Sequence, residues 1–424
     1  MAAISTGEHD RAIRLSELAV RRRPLEESAH ILLTKSLVLD GRTEAALEHV
    51  EATERAFLAE LGERPSLALR SAARRTIASA PGGVSPRAVV ESLISSGVAA
   101  LSAGAVEAGL DCLRRAAADA EAANEGHLRA RSLMELGSAL VHSVRCYDDE
   151  GAIYLRQATQ LAIECGAAHI ASTGLCELGY VEALAGRRPA AADLLVSALE
   201  SSRDDEEALA AIHGTIAFNL VDWGKVDEGL SHHERSLDHA RTAGNRRREI
   251  WSLGLGGWGL VAADRLDEAS AWLEKCLAYC DDIRWLAFKP WPLTVLAVAR
   301  LRLQYDPASI RTGLEDALAL SCQLGDPCWE AAAGRAIALT YAATDENEIA
   351  MQWLANARKT LVRVTDPYAG LLVEILSDQV RVSLKSGQPE QAASIARELL
   401  SVAARTHADA HLKQAVAAID SAKR

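Results

Sequence analysis

No run of eighteen apolar residues occurs in this 424-residue chain, so a transmembrane helix is not expected. The start, Met1-Ala-Ala-Ile-Ser-Thr6, lacks the basic residues and apolar core of a signal peptide, and the expected location is the cytoplasm. Strand-like alternation and β-branched runs are missing too, which sets aside the parallel-sheet enzyme folds. The eight cysteines (Cys112, Cys146, Cys165, Cys176, Cys276, Cys280, Cys322, Cys328) follow no disulfide or zinc spacing and read as buried thiols in a reducing compartment.

The motifs of catalysis are equally scarce. No G-x-x-x-x-G-K-[ST] phosphate loop and no G-x-S-x-G elbow is present. After His233-Glu234 the fourth residue is Leu237, so H-E-x-x-H fails. His232 and His239 are seven apart, about 10 Å along a helix, too far to share one zinc unaided. Gly254 to Gly259 matches G-x-G-x-x-G, but the dinucleotide mechanism needs a strand before it, and here the glycines fall inside a helix. No catalytic residue, cofactor or metal is expected.

Charge is unevenly placed. Residues 1–78 carry 12 basic and 12 acidic side chains, and the remainder 34 against 46, which is the whole net charge of −12. An acidic array is a poor partner for duplex phosphates, so specific nucleic-acid binding by this chain is not expected. The clusters Arg21–Arg23 and Arg246–Arg248 read as solvated helix ends.

What the sequence has in abundance is a beat of small residues. Gly257 lies seven before Asp264 and Ala269 five after it, and Gly97–Gly104–Gly109, Gly179–Gly186–Ala191 and Ala217–Gly224–Gly229 keep the same spacing. Leu253, Leu260, Leu273 and Leu277 recur at helical spacing on the same seam. This describes two antiparallel helices touching through small residues, with Gly257 expected to meet Ala269. A pair with so much apolar seam must stack on copies of itself. Turn signals at Gly104, about Asp148, Gly186, Gly224, Asp264, Asp306, Asp345 and Gly387 differ by 44, 38, 38, 40, 42, 39 and 42, a unit of about forty residues. The expected fold is all-α: antiparallel pairs stacked into a right-handed, tetratricopeptide-like solenoid over 87–424, with about eight pairs and a closing helix at Asp409–Lys423. Residues 79–86, rich in Pro and Gly, read as a linker.

Before it, 1–78 reads as a smaller helical domain. Gly7 to Pro24 is the second half of a pair whose first half would lie upstream, so either that pair is incomplete or the chain is part of a longer one. Glu26–Leu39 and Glu44–Leu61 form the next pair around Asp40–Gly41, and a short helix follows to about Ala78. Gly7, Ala12, Pro24-Leu25-Glu26-Glu27, Gly41, Ala45–Ala46 and the closing Glu60-Leu61-Gly62-x-x-Pro65-Ser66 carry a resemblance to the bacterial transcriptional activator domain of the antibiotic regulatory protein family. The likeness covers under a fifth of the chain. It implies a role in transcription regulation; in that family a winged-helix DNA reader precedes the domain, and none is found in this sequence.

Aromatic placement supplies the candidate site. All eight tryptophans (Trp223, Trp251, Trp258, Trp272, Trp285, Trp291, Trp329, Trp353) fall between 223 and 353. If the first helix of each pair lines a groove, the residue six before each turn faces it: Tyr180, Phe218 and Trp258, with Trp251 on the same stripe. Two readings stand for these four, a ligand or peptide surface and simple seam filling; Trp272 and Trp353 read as seam. The function expected is a regulator of transcription, a scaffold binding a protein or peptide partner, such as a DNA-binding protein or RNA polymerase, or a small effector. The alternative is an interaction adaptor with no transcriptional role. No membrane partner is expected.

Overall fold

The computed structural model describes residues 9–62, 65, 69, 72–73, 85–102, 105–142, 148–202, 204–364 and 367–421. Among them are twenty α-helices and no strand. The chain divides into two compact units, Met1–Ser85 and Pro86–Arg424.

The first unit contains α1 (His9–Arg22), α2 (Glu27–Leu39) and α3 (Thr43–Leu61). Pro24 follows α1 and cannot continue it, and Gly41 takes the left-handed conformation that turns α2 into α3. Ile13, Leu33, Leu37 and Ala46 form the seam. One polar device is buried beside it. His30 Nε2 meets the Pro24 carbonyl at 2.9 Å, while His30 Nδ1 lies 2.9 Å from Thr53 Oγ1 and 3.2 Å from His49 Nε2. Gly7, the short helix to about Ala78 beyond isolated positions, and most of the expected linker lie outside the described residues.

The second unit is a helical-repeat array of eight pairs and a closing helix. The pairs are α4 (Pro86–Ser102) with α5 (Val106–Ala122), α6 (Gly126–His142) with α7 (Asp148–Glu164), and α8 (Ala168–Leu184) with α9 (Arg188–Glu200). Next come α10 (Glu206–Asp222) with α11 (Val226–Thr242), α12 (Arg246–Ala262) with α13 (Leu266–Asp282), and α14 (Pro290–Arg302) with α15 (Pro307–Leu324). Last are α16 (Pro327–Ala343) with α17 (Asn347–Leu361), α18 (Ala369–Lys385) with α19 (Pro389–Arg405), and α20 (Asp409–Ser421). Each first helix packs against the first helix of the next pair, making one continuous face.

A left-handed residue sits in the turn inside each of the last six pairs: Gly186, Gly224, Asp264, Gln304, Asp345 and Gly387, spaced by 38, 40, 40, 41 and 42. Two expected turn positions shift. Asp148 is the first residue of a helix, and Asp306 is not the bend but the N-cap of α15, accepting from Ser309 N at 2.9 Å. Pro307 supplies the preset φ of the first helical residue, so a longer turn, 303–306, lets Gln304 take the bend. Gly104 is outside the described residues.

Asp264 and Asp345 hold a conformation glycine adopts more cheaply, and their side chains explain the exception. Arg302 on α14 binds the Val261 carbonyl and Asp264, both at 2.7 Å. Lys385 on α18 repeats the arrangement one pair-of-pairs later, reaching the Ala342 carbonyl at 2.8 Å and Asp345 at 2.6 Å. Each cation, at the end of its own helix, ties down the preceding first-helix end.

Helix α12 is buried nearly all round, and its glycines are why. A Cβ on Gly254 would stand 2.8 Å from the Phe288 ring, one on Gly256 2.5 Å from the Trp272 ring, and one on Gly259 3.1 Å from Leu230. The nearest neighbour of Gly257 is Leu273, a Cβ there standing 2.5 Å from Leu273 Cγ, as Leu113 Cγ at 2.8 Å is for Gly97. One turn beyond Ala269 on α13, this leucine drops its branch into the gap that Gly257 leaves. Gly97 and Gly109 do approach each other as the seam spacing requires, a Cβ on Gly97 lying 3.1 Å from the Gly109 carbonyl.

Because Leu273 is fully buried, it cannot swing aside for a new side chain. Gly257→Leu is expected to lower stability by about 1–3 kcal/mol through overpacking, against a helix-propensity gain of under about 1 kcal/mol. Urea unfolding followed by circular dichroism reads this out; a midpoint equal to that of the parent would place α13 in a different register against α12.

Candidate functional site

The four sequence-derived candidates converge, but as parts of a packed aromatic hub. Tyr180 on α8 and Phe218 on α10 have ring centroids 5.4 Å apart, and Tyr180 lies 5.7 Å from Trp251. Phe218 lies 5.8 Å from Trp258, the other candidate on α12. Of the two readings open for these rings, a ligand surface or seam filling, Tyr180 and Phe218 fit the second, at 5% and 3% exposed, while Trp251 and Trp258 are half-buried. What covers them came from outside the stripe. His142 stacks on Tyr180 at 5.0 Å, Phe288 on Trp251 at 5.5 Å, Trp291 meets Trp258 at 6.1 Å, and Tyr368 meets Phe218 at 5.5 Å. The space left among the rings is about 10 Å³, near the least that could seat one water. Glu177 bonds His142 Nε2 at 2.6 Å on the hub's edge; burial opposes its charge, but His142 and Arg248 outweigh that and hold its carboxyl below the ordinary range.

Trp258 has a second neighbourhood. With Trp291 it forms the aromatic wall of a cavity of about 660 Å³, lined by the first helices α12, α14, α16 and α18. That volume lies within the range of small-ligand sites. Val261, Val295, Val298, Leu339 and Leu371 continue the apolar wall. The register that places Tyr180, Phe218 and Trp258 six before their turns also brings Leu339 and Arg381 here, so the stripe leaves the hub and enters the cavity.

Opposite the apolar wall is a charged cluster. Asp378, 1% exposed, accepts from Arg335 Nε at 2.6 Å and from Arg381, while Arg335 also pairs with Glu374 at 2.7 Å. Although its side chain is 62% exposed, neighbouring atoms crowd the Arg381 guanidinium, and that desolvation, then the adjacent Arg335 charge, lowers its pKa. His411 on α20 feels the same field: burial lowers its pKa, and Arg335 and Arg381 add to the shift while Glu374 opposes it. A buried carboxylate shared by two guanidiniums costs desolvation that only paired geometry offsets, which marks the cluster as more than surface decoration.

The last pair of the array meets its middle beside the hub. Tyr368 at the start of α18 donates to Asp222 Oδ1 at 2.9 Å, and Asp222 also pairs with Arg188 at 2.7 Å. Burial pushes the Asp222 pKa up against the opposing pull of Arg188, and burial followed by Asp222 raises that of Tyr368 well above its usual value. Trp223 meets the His407 ring at 6.1 Å, and Gly186 lies against Thr406.

Other sequence candidates find structural partners. Gly254 to Gly259 lies within α12 and cradles side chains. Arg246 bonds Glu249 at 2.6 Å and covers the Tyr279 ring at 4.1 Å, and Arg247 covers Trp285 at 4.9 Å. Cys276 and Cys280 are buried, the Cys276 thiol meeting the Ile250 carbonyl at 3.3 Å. His213 on α10 lies between the two separated histidines, its Nδ1 2.9 Å from His232 Nδ1 and its ring stacked on His239 at 5.4 Å. Burial first, then the neighbouring histidines, pushes the His213 pKa down to about 4. Among the described residues no group of three or more potential ligands is placed to hold a metal.

Helix pairs, left-handed turns and a first-helix face define a tetratricopeptide-like repeat array. Comparison with known proteins agrees. Residues 1–76 match the family described as Bacterial transcriptional activator domain, so the chain carries a domain of that kind followed by the tetratricopeptide-like array. No curated protein matches the sequence. Among solved structures, a Rap protein complexed with Competence and Sporulation Factor is similar with a TM-score of 0.59 at 12% identity, over 90% of this chain and 98% of its own. Yeast Tom70 is similar with a TM-score of 0.42 at 11% identity, over 99% of this chain and 87% of its own. The signal transduction ATPase with a tetratricopeptide repeat sensor from Pyrococcus horikoshii gives 0.43 at 12%, over 69% and 46%.

The two α12 tryptophans are expected to separate by role. Trp251 is enclosed by His142, Tyr180 and Phe288, so Trp251→Ala should cost about 3–5 kcal/mol, the usual loss for a buried aromatic. Trp258 borders open space, and Trp258→Ala should cost less. Denaturant titration of both variants decides; equal losses would place Trp258 wholly within the hub.

Proposed function

We propose that this chain is a regulator of transcription in which the repeat array receives an effector and the domain at 1–76 belongs to the transcription machinery's side of the exchange. The observation that carries the reading is the 660 Å³ cavity on the first-helix face, in one chain with an activator-type domain. Trp258 is the candidate residue that faces the effector. Tyr180, Phe218 and Trp251 act one layer back, fixing its wall. The fold shared with a Rap protein solved in complex with Competence and Sporulation Factor supports an array that takes a ligand. An occupant bound more tightly by one arrangement of the helices shifts the array toward it, and docking to a DNA-binding protein or RNA polymerase changes with it. The acidic charge of the array supports an indirect role at DNA.

Transcript profiling in the organism that encodes the chain tests this. Deleting the gene should change a defined set of transcripts, and the parent chain should restore them. Val298→Trp, which fills the cavity, should fail to restore them while the protein accumulates normally. An unchanged transcript profile on deletion would leave a scaffold without a part in transcription.

A further inference from the structure

We infer that the cavity selects an amphipathic carboxylate, an apolar body lying on Trp258 and Trp291 with its carboxylate held by Arg381 and Arg335. This rests on the reading of the cavity as the effector site and adds the chemistry of the occupant.

The walls divide the ligand into two halves. Trp258, Val261, Trp291, Val295, Val298 and Leu371 offer a continuous apolar surface that favours a ring or branched chain. The charged side is asymmetric in what it has left to give. Asp378 is 1% exposed and both its oxygens are engaged, so it cannot serve a ligand. Glu374 has committed one oxygen to Arg335. Each guanidinium, by contrast, is a fork of N–H donors, and three contacts with these two carboxylates occupy only part of both forks. Arg381 is 62% exposed along its side chain and borders the cavity, with Arg335 beside it. Arg302 and Lys385 at the rim are paired with Asp264 and Asp345. The donor capacity left on the two guanidiniums lies on planar forks that match a carboxylate in two-point geometry, while Glu374 keeps one oxygen uncommitted on the same side.

Such a carboxylate has two sources, a free aliphatic or aromatic acid and the C-terminus of a short apolar peptide. The probes are 4-phenylbutyrate with its amide, and the tetrapeptide Leu-Ile-Val-Leu with a free or amidated C-terminus. Each is titrated into the full chain by calorimetry, with melting temperature as the check on folding. The expected result is that at least one acid binds tenfold or more tightly than its amide. Arg381→Gln should abolish that preference while Asp378 keeps its Arg335 partner, and Val298→Trp should abolish binding of both members. Phenylbutyrate alone responding names a free acid, and the peptide alone names a chain end. Amides binding as well as acids, a preference that survives Arg381→Gln, or no binding by either pair would overturn the carboxylate assignment. Amides that bind and are lost in Val298→Trp would still leave the cavity as an effector site. Binding untouched by Val298→Trp would move the ligand elsewhere and remove the proposed effector site itself.

Discussion

Tyr368 and Asp222 stand 146 residues apart in sequence, and the 2.9 Å hydrogen bond between them is where the array meets itself. A stack of helix pairs needs only nearest-neighbour contacts, so nothing in its repeat requires α18 to touch α10. Here the curl is tight enough that it does. Asp222 is held from the other side by Arg188, which is 1% exposed and also donates to the Ala183 carbonyl. A charge pair this deep stabilises only as a complete set, because removing one member leaves the other buried alone. Gly370 keeps the approach open: a Cβ there would lie 2.6 Å from Asp222 Oδ1.

This closure explains why the aromatic stripe becomes a hub. On an open groove, Tyr180, Phe218 and Trp251 would face solvent. With Tyr368 brought across to Phe218, Phe288 stacked on Trp251 and Trp329 tilted against Trp291, the rings fill the middle of the array. The face is open where the stripe runs on past Trp258 toward Leu339 and Arg381, and the cavity lies there. The same curl sets the hub's aromatic wall against the arginine cluster of α16 and α18.

Much of the array is legible in sequence because its signals are local. Small residues seven before and five after a turn are needed wherever two helices touch at their closest, and left-handed turns favour Gly or Asp. The nearest neighbour of a seam glycine is less legible, since Leu273 over Gly257 and Leu113 over Gly97 pack closer than the small residue across the turn. The bend at Gln304 carries no turn signal, while the neighbouring Asp306-Pro307 carries one for a different job. The candidate stripe was readable as a register but not as an environment, since Phe288 sits in a connection and Tyr368 arrives from four pairs away. Arg335, Glu374, Asp378 and Arg381 went unnoticed for a related reason. On single helices they look like ordinary solvated charge; only the pairing of α16 with α18 buries Asp378 between two arginines.

A double-mutant cycle on Asp222→Asn and Tyr368→Phe measures the cooperativity of this closing contact most directly. Stability of the parent, the two single variants and the double variant is read by urea unfolding. The account predicts a coupling of about 0.5–3 kcal/mol, the range for residues in one buried network. Losses that simply add, within about 0.3 kcal/mol, would mean that α18 does not hold α10.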